Sequence, residues 1–213
     1  CWIRYGRYHY SRFPRNTRLV TTMRKIIFDI ETKNFFHDVG SNDPAKLDLA
    51  LIAIYDSETD SYSSYLENEL NKLWPILERA DMLIGFTSEH FDLPLLNKYY
   101  PGDLTKIKHL DILKEIKNTY GRRMKLDQLA EGTLNKHKSG HGADAMNWWK
   151  VGDVERVRSY CIDDVKLTKE LYDYARANNK LIFKEGKTLN EIKLDTSHWE
   201  EPSKHKLTFS MPF

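Results

Sequence analysis

Long apolar runs are missing from this 213-residue chain. No stretch of about 18 apolar residues occurs, so no membrane-spanning helix is expected. Cysteine is scarce: Cys1 and Cys161 are the only two, they show no metal-ligand spacing, and they cannot build a disulfide framework. That usage fits a reducing, intracellular and cytoplasmic setting. No Walker loop, no dinucleotide glycine fingerprint and no G-x-S-x-G nucleophile elbow is present. His137 and His141 are four apart, but Gly140 between them argues against a helical metal pair and no third ligand completes a zinc site. They read as solvated loop residues, or at most as phosphate contacts. Internal repeats and low-complexity segments are lacking as well.

Acid is missing from residues 1–22, which hold five arginines (Arg4, Arg7, Arg12, Arg15 and Arg18) among aromatic residues. With those set aside, the remainder carries 28 basic and 31 acidic residues, so its contacts with nucleic acid must be local rather than general. The arginine–aromatic stretch has no helical or strand period and no secretory apolar core. It is expected to be a disordered or extraneous extension, although such an arm is also suited to stacking on nucleic acid. The main domain is expected at 23–199, followed by a polar tail at 200–213.

From Met23 the pattern alternates strand and helix. Strands are expected at Lys25–Thr32, Leu47–Tyr55, Ser61–Leu66, Met82–Phe86 and Lys106–Leu110, the second and third forming a hairpin. Helices are expected at Asn68–Ala80, where Pro75 would kink or restart the helix, and at Leu93–Tyr100, Ile112–Thr119 and Leu126–Leu134. Asn135–Gly152 reads as loop. A long helix follows from Asp153, a good N-cap, to about Asn178, and a last hairpin turns at Gly186. The order predicts an α/β domain with a mixed sheet flanked by helices.

Three places on this frame carry chemistry. In Phe28-Asp29-Ile30-Glu31-Thr32, strand alternation turns Asp29 and Glu31 to one side and Phe28 and Ile30 to the other. Neighbouring carboxylates on a core strand repel and resist desolvation, so a cation must compensate them, and a divalent metal does so. The pair alone is a weak signal. Asp92 opens the helix after the fourth strand, and by itself it would be a first-turn acid favoured by the helix dipole. In the long helix, Val154, Val157, Cys161, Val165, Thr168 and Tyr172 form the buried stripe. Asp164 and Tyr160 flank that stripe one turn apart, while Asp163 projects to solvent.

Together, in this order, the pieces resemble the DEDD superfamily of 3′–5′ exonucleases on the ribonuclease H-like fold. Asp29 and Glu31 match the first motif, Asp92 the second and Asp164 the fourth acid. Tyr160, four residues before Asp164, places the chain with the tyrosine subgroup, since the histidine subgroup would need histidine where Ser159 stands. The likeness covers roughly residues 23–178. The family's second motif often has asparagine at the position of Thr87. The resemblance implies hydrolysis of phosphodiester bonds from the 3′ end of DNA or RNA, a single-stranded end being the expected substrate. It also implies two Mg²⁺ or Mn²⁺ ions held by Asp29, Glu31, Asp92 and Asp164, with Tyr160 orienting the attacking water. Thr32, Thr87 and Phe91 would contact the terminal nucleotide. Two other readings keep the fold: a non-catalytic nucleic-acid-binding module, and an endonuclease or junction resolvase. A helicase or polymerase partner is not readable from the sequence.

Overall fold

The computed structural model describes residues 23–201. The expected arm and most of the expected tail lie outside the described residues. Five strands form the main sheet: β1 (Lys25–Thr32), β2 (Leu49–Asp56), β3 (Ser61–Leu66), β4 (Met82–Gly85) and β5 (Lys108–Asp111). Their spatial order is β3-β2-β1-β4-β5. β1, β2 and β3 pair antiparallel, whereas β4 runs parallel to both β1 and β5. This is the expected mixed sheet, and helices flank it on both faces.

Strand alternation divides the core. Ile26, Phe28 and Ile30 of β1 face one side, where they meet Leu73 and Leu77 of α1 (Leu70–Leu77) and Leu95 and Leu96 of α2 (Asp92–Asn97). Ile27 faces the other side with Leu51 and Ala53 of β2. There α3 (Ile112–Tyr120), α5 (Gly142–Lys150) and α6 (Val154–Asn178) supply the covering side chains. A stripe of Val157, Cys161, Val165, Thr168 and Tyr172 is buried along α6, whose first turn is capped by Asp153 accepting from Arg156 N. No described helix is long and apolar enough to cross a membrane.

Three expectations need correction. α1 runs unbroken through Pro75 after a 3₁₀ turn at Glu67–Glu69, instead of restarting there. The expected helix Leu126–Leu134 is a short α4 (Leu126–Leu129) that widens into a π-helical turn, Ala130–Leu134. Asn135–Gly152 is not all loop, because it contains α5. Its glycines mislead: Gly140 precedes the helix, Gly142 opens it and Gly152, at φ +82°, follows it, so none lies in its interior.

β6 (Lys180–Glu185) and β7 (Thr188–Lys193) form the final hairpin. It docks on the π turn through Thr133, whose Oγ1 donates to Ile182 O at 2.6 Å and accepts from Ile182 N at 2.8 Å. Beyond the hairpin, Trp199 is buried against Tyr172, and Glu200 accepts from Lys25 Nζ at 2.7 Å and from Tyr172 OH at 2.5 Å.

Candidate active site

The site forms at the carboxyl ends of the parallel strands, where open α/β sheets leave a crevice. β4 pairs only with Lys25–Ile27 of β1, so the second half of β1 extends past its neighbour. Asp29 and Glu31 stand on that extension, facing α6, and a register shift between Glu31 and Thr32 bends the strand end. Asp92 enters from the start of α2, and Asp164 and Tyr160 from α6. All five line one cavity of about 260 Å³. Thr32, Thr87 and Phe91 line it too, so the acids, the tyrosine and the three expected nucleotide contacts all reach this pocket, whereas His137 and His141 do not. Asp163 does not, and pairs instead with Lys166 at 3.0 Å.

Burial and mutual repulsion govern the acids. Asp29 is pushed up to about 7, first by burial and then by Asp164. Burial and Asp29 likewise raise Glu31 and Asp92 well above the usual carboxylate range. Asp164 is raised by burial, against the opposing pull of Lys138. The Lys138 ammonium sits 2.6 Å from Asp164 Oδ2 and 5.1 Å from the Tyr160 ring centroid. Burial works against the charge of Lys138, but Asp164 outweighs it and holds the group protonated.

Lys138 is the residue that sequence reasoning missed. It lies in the irregular segment before α5, outside any periodic pattern, and its backbone N–H donates to Asp127 Oδ1 at 3.0 Å. The one signal in the sequence is the requirement that clustered carboxylates find a cation, a need that a basic side chain can share with a metal.

Two side-chain polar atoms among the described residues are buried without a hydrogen bond of good geometry, and both are here: Tyr160 OH, although Lys138 and Asp164 lie close enough to act on it, and Asp164 Oδ1. Buried polar atoms are rarely left unpaired, so an incoming ligand is the natural partner. Tyr160 is held edge-on by Trp148 of α5, with ring centroids 5.7 Å apart. Gly140 lets the chain pass close, since a Cβ there would come within 3.0 Å of Trp148. Burial raises the Tyr160 phenol, with Asp164 adding to the effect.

The donor set fits a hard divalent cation: carboxylate oxygens from three elements, arranged in a partly open pocket. One ligand atom each from Asp29, Glu31 and Cys161 lies within 4.8 Å of the others. Cys161 is a poor ligand even so. Burial, then Asp29 and Glu31, push its thiol well above its ordinary range, and it donates to Asp29 O at 3.3 Å.

The loop after β4 has a distinct conformation. Thr87 adopts φ +70°, a left-handed geometry costly for a β-branched residue. Buried Asp111 holds it there, accepting from Thr87 N and Glu89 N at 3.0 Å each and capping α3 through Leu113 N at 3.0 Å. Strain retained beside a cluster of acids is typical of functional sites.

This fold and pocket are those of a ribonuclease H-like protein. The family model of the RNase H superfamily matches residues 26–176, and the chain belongs to that superfamily. Its nucleases use divalent metals, in keeping with the acidic cluster. No curated protein matches the chain. Among solved structures it is similar to the family B DNA polymerase from the hyperthermophilic archaeon Pyrobaculum calidifontis, with a TM-score of 0.55 and 18% identity. The likeness covers 72% of this chain and 24% of the polymerase, so the chain spans about a quarter of that protein's length. At this identity the similarity is one of fold.

Proposed function

We propose that the protein is a metal-dependent 3′–5′ exonuclease. The observation that carries this reading is the convergence of Asp29, Glu31, Asp92 and Asp164 in one pocket with the unpartnered hydroxyl of Tyr160. Membership of the RNase H superfamily supports hydrolysis of nucleic acid, and the similar polymerase is by name a protein of DNA. The order and spacing of the acids support removal of nucleotides from a 3′ end.

Asp29, Glu31, Asp92 and Asp164 would hold two Mg²⁺ or Mn²⁺ ions, and Asp29 sits among them as the acid whose charge bears on each of the other three. When bound, such ions supply an activated water at neutral pH and stabilise charge on the attacking and leaving oxygens. Tyr160 hydrogen-bonds the attacking water and orients it. Its raised pKa keeps the phenol protonated, with no free base form to take up the water's proton, so its role is direction and not abstraction. Phe86, Phe91 and Met146 give the pocket apolar walls against which a terminal base can stack, and Thr32 and Thr87 offer hydroxyls nearby.

A second reading has one specific observation in its favour. Lys138 already compensates Asp164, as a binding module working without metal would require. A single strand labelled at its 5′ end separates the readings. A stepwise ladder from the 3′ end in Mg²⁺ or Mn²⁺, abolished by chelation, is the expected result. Internal cuts would indicate an endonuclease, and retention of the intact strand a binding module.

A further inference from the structure

We infer that a second groove, lined by Arg123, Lys125 and His141, carries the phosphodiester backbone of a single-stranded substrate up to the acidic pocket. This inference rests on the nuclease reading and locates its substrate. The groove has a volume of about 590 Å³ and adjoins the acidic pocket, with Phe86, Thr87, Lys138 and Gly142 lining both.

Charge points to the occupant. Arg123 and Lys125 line the groove beside His141 and face a single carboxylate, Asp127, which already accepts the backbone N–H of Lys138; the Lys138 ammonium itself is held by Asp164 at the junction with the acidic pocket. Arg123, Lys125 and His141 are exposed. The neighbouring Arg122 is spent on Glu185 at 3.0 Å, whereas Arg123 and Lys125 make no ion pair among the described residues. In a body whose acids outnumber its bases, such a cluster favours a polyanion locally.

The frame is rigid. The cations sit on the short connection between α3 and α4, anchored by buried Met124 and Leu126 on either side of Lys125. Gly142 adds an independent sign. Its φ is ordinary and a Cβ there would meet nothing within 4 Å, so neither conformation nor packing requires glycine. Gly142 lines both cavities, and the lack of a side chain there leaves their junction open.

A different groove, lined by Lys33, Leu66, Glu67 and Trp149, is the weaker route. Its one cation is paired with Glu67, and it shares no residue with the acidic pocket.

The test measures affinity for a labelled oligothymidylate in EDTA over a range of salt, comparing wild type with the double variant Arg123→Glu/Lys125→Glu. Binding is expected to weaken about tenfold at low salt, and the slope of log K against log[salt] to shrink by about 1.4, or roughly 0.7 for each lost phosphate contact. The neutral pair Arg123→Gln/Lys125→Gln should shrink the slope by the same amount with a smaller loss of affinity. An unchanged affinity and slope in both variants would overturn the inference. Hydrolysis of a thymidine 5′-phosphate aryl ester by the wild type in Mn²⁺ reports separately on the acidic pocket. Failure of that reaction counts against the nuclease reading, while the binding arm still decides the groove.

Discussion

The hydroxyl of Tyr160 is buried, unpartnered and aimed into a pocket of carboxylates, an arrangement with a cost unless something meets it. Replacing Tyr160 by Phe keeps the ring against Trp148 and removes only that oxygen. We expect single-turnover hydrolysis to slow by roughly 10²-fold with little change in substrate affinity, the scale of one positioned proton-handling group. An unchanged rate would leave Tyr160 a packing residue. Thr87 makes the converse case, since asparagine tolerates its left-handed backbone far better than threonine does. Thr87→Asn should therefore stabilise the protein by about 1 kcal/mol in denaturant unfolding. A destabilised variant would show that the threonine methyl packs well enough to outweigh the strain. At this scale three of the acids were legible because strand and helix periods select them: alternation pairs Asp29 with Glu31, and the α6 stripe chooses Asp164 over Asp163, whereas Asp92, at a helix start, is singled out only by the family resemblance. Lys138 was not, because no period acts on the irregular segment that holds it.

Among the elements, α6 was the easiest to read, with 25 residues, one apolar stripe and a clear N-cap. α5 was hidden by flanking glycines, and its discovery matters because Trp148 positions Tyr160 and Gly142 joins the two grooves. The π-helical turn after α4 was also hidden, for its cause is tertiary. Gly132 lies so close to β6 that a Cβ would fall 2.6 Å from Ile182 O and 2.7 Å from Phe183 Cα. Both are backbone atoms of a strand that cannot move without dragging the hairpin. Gly132→Ala is thus expected to destabilise the fold by roughly 2–3 kcal/mol, an overpacking effect, with denaturant unfolding as the measurement. A neutral result would mean that the hairpin docks more loosely than its hydrogen bonds to Thr133 indicate.

For the whole molecule, the sheet order places β1 between β2 and β4, and it brings acids distant in sequence to the ends of β1 and β4. The same convergence makes the metal-free protein sensitive to pH. Asp29 titrates near 7 in the folded chain and near 3.9 when unfolded. Between these values the folded state holds the proton more tightly, so stability falls as pH rises through the window. Glu200 works in the opposite sense and lower down. Burial opposes its charge, but Lys25, Tyr172 and Arg176 prevail and hold it near 2, so its contribution is present above about 4.3 and lost only as pH falls toward 2. In EDTA, the melting temperature should therefore drop from pH 5 to pH 8, roughly 2–8 °C for about 1–2 kcal/mol. Asp29→Asn should flatten this decline, and Mn²⁺ should reverse it by binding the ionised native state. A melting temperature that climbs over the same range without metal would contradict the account of the acids.

The central claim, that this pocket removes nucleotides from a 3′ end, is tested most directly by following one 5′-labelled single strand with three proteins in Mn²⁺: wild type, Asp164→Ala and Asp163→Ala. The two aspartates are adjacent in sequence, but one is buried in the pocket and the other pairs with Lys166 outside it. The account predicts a ladder shortening from the 3′ end with wild type and with Asp163→Ala at closely similar rates, and no ladder with Asp164→Ala. A ladder that survives in Asp164→Ala, or one that disappears in Asp163→Ala, would contradict it.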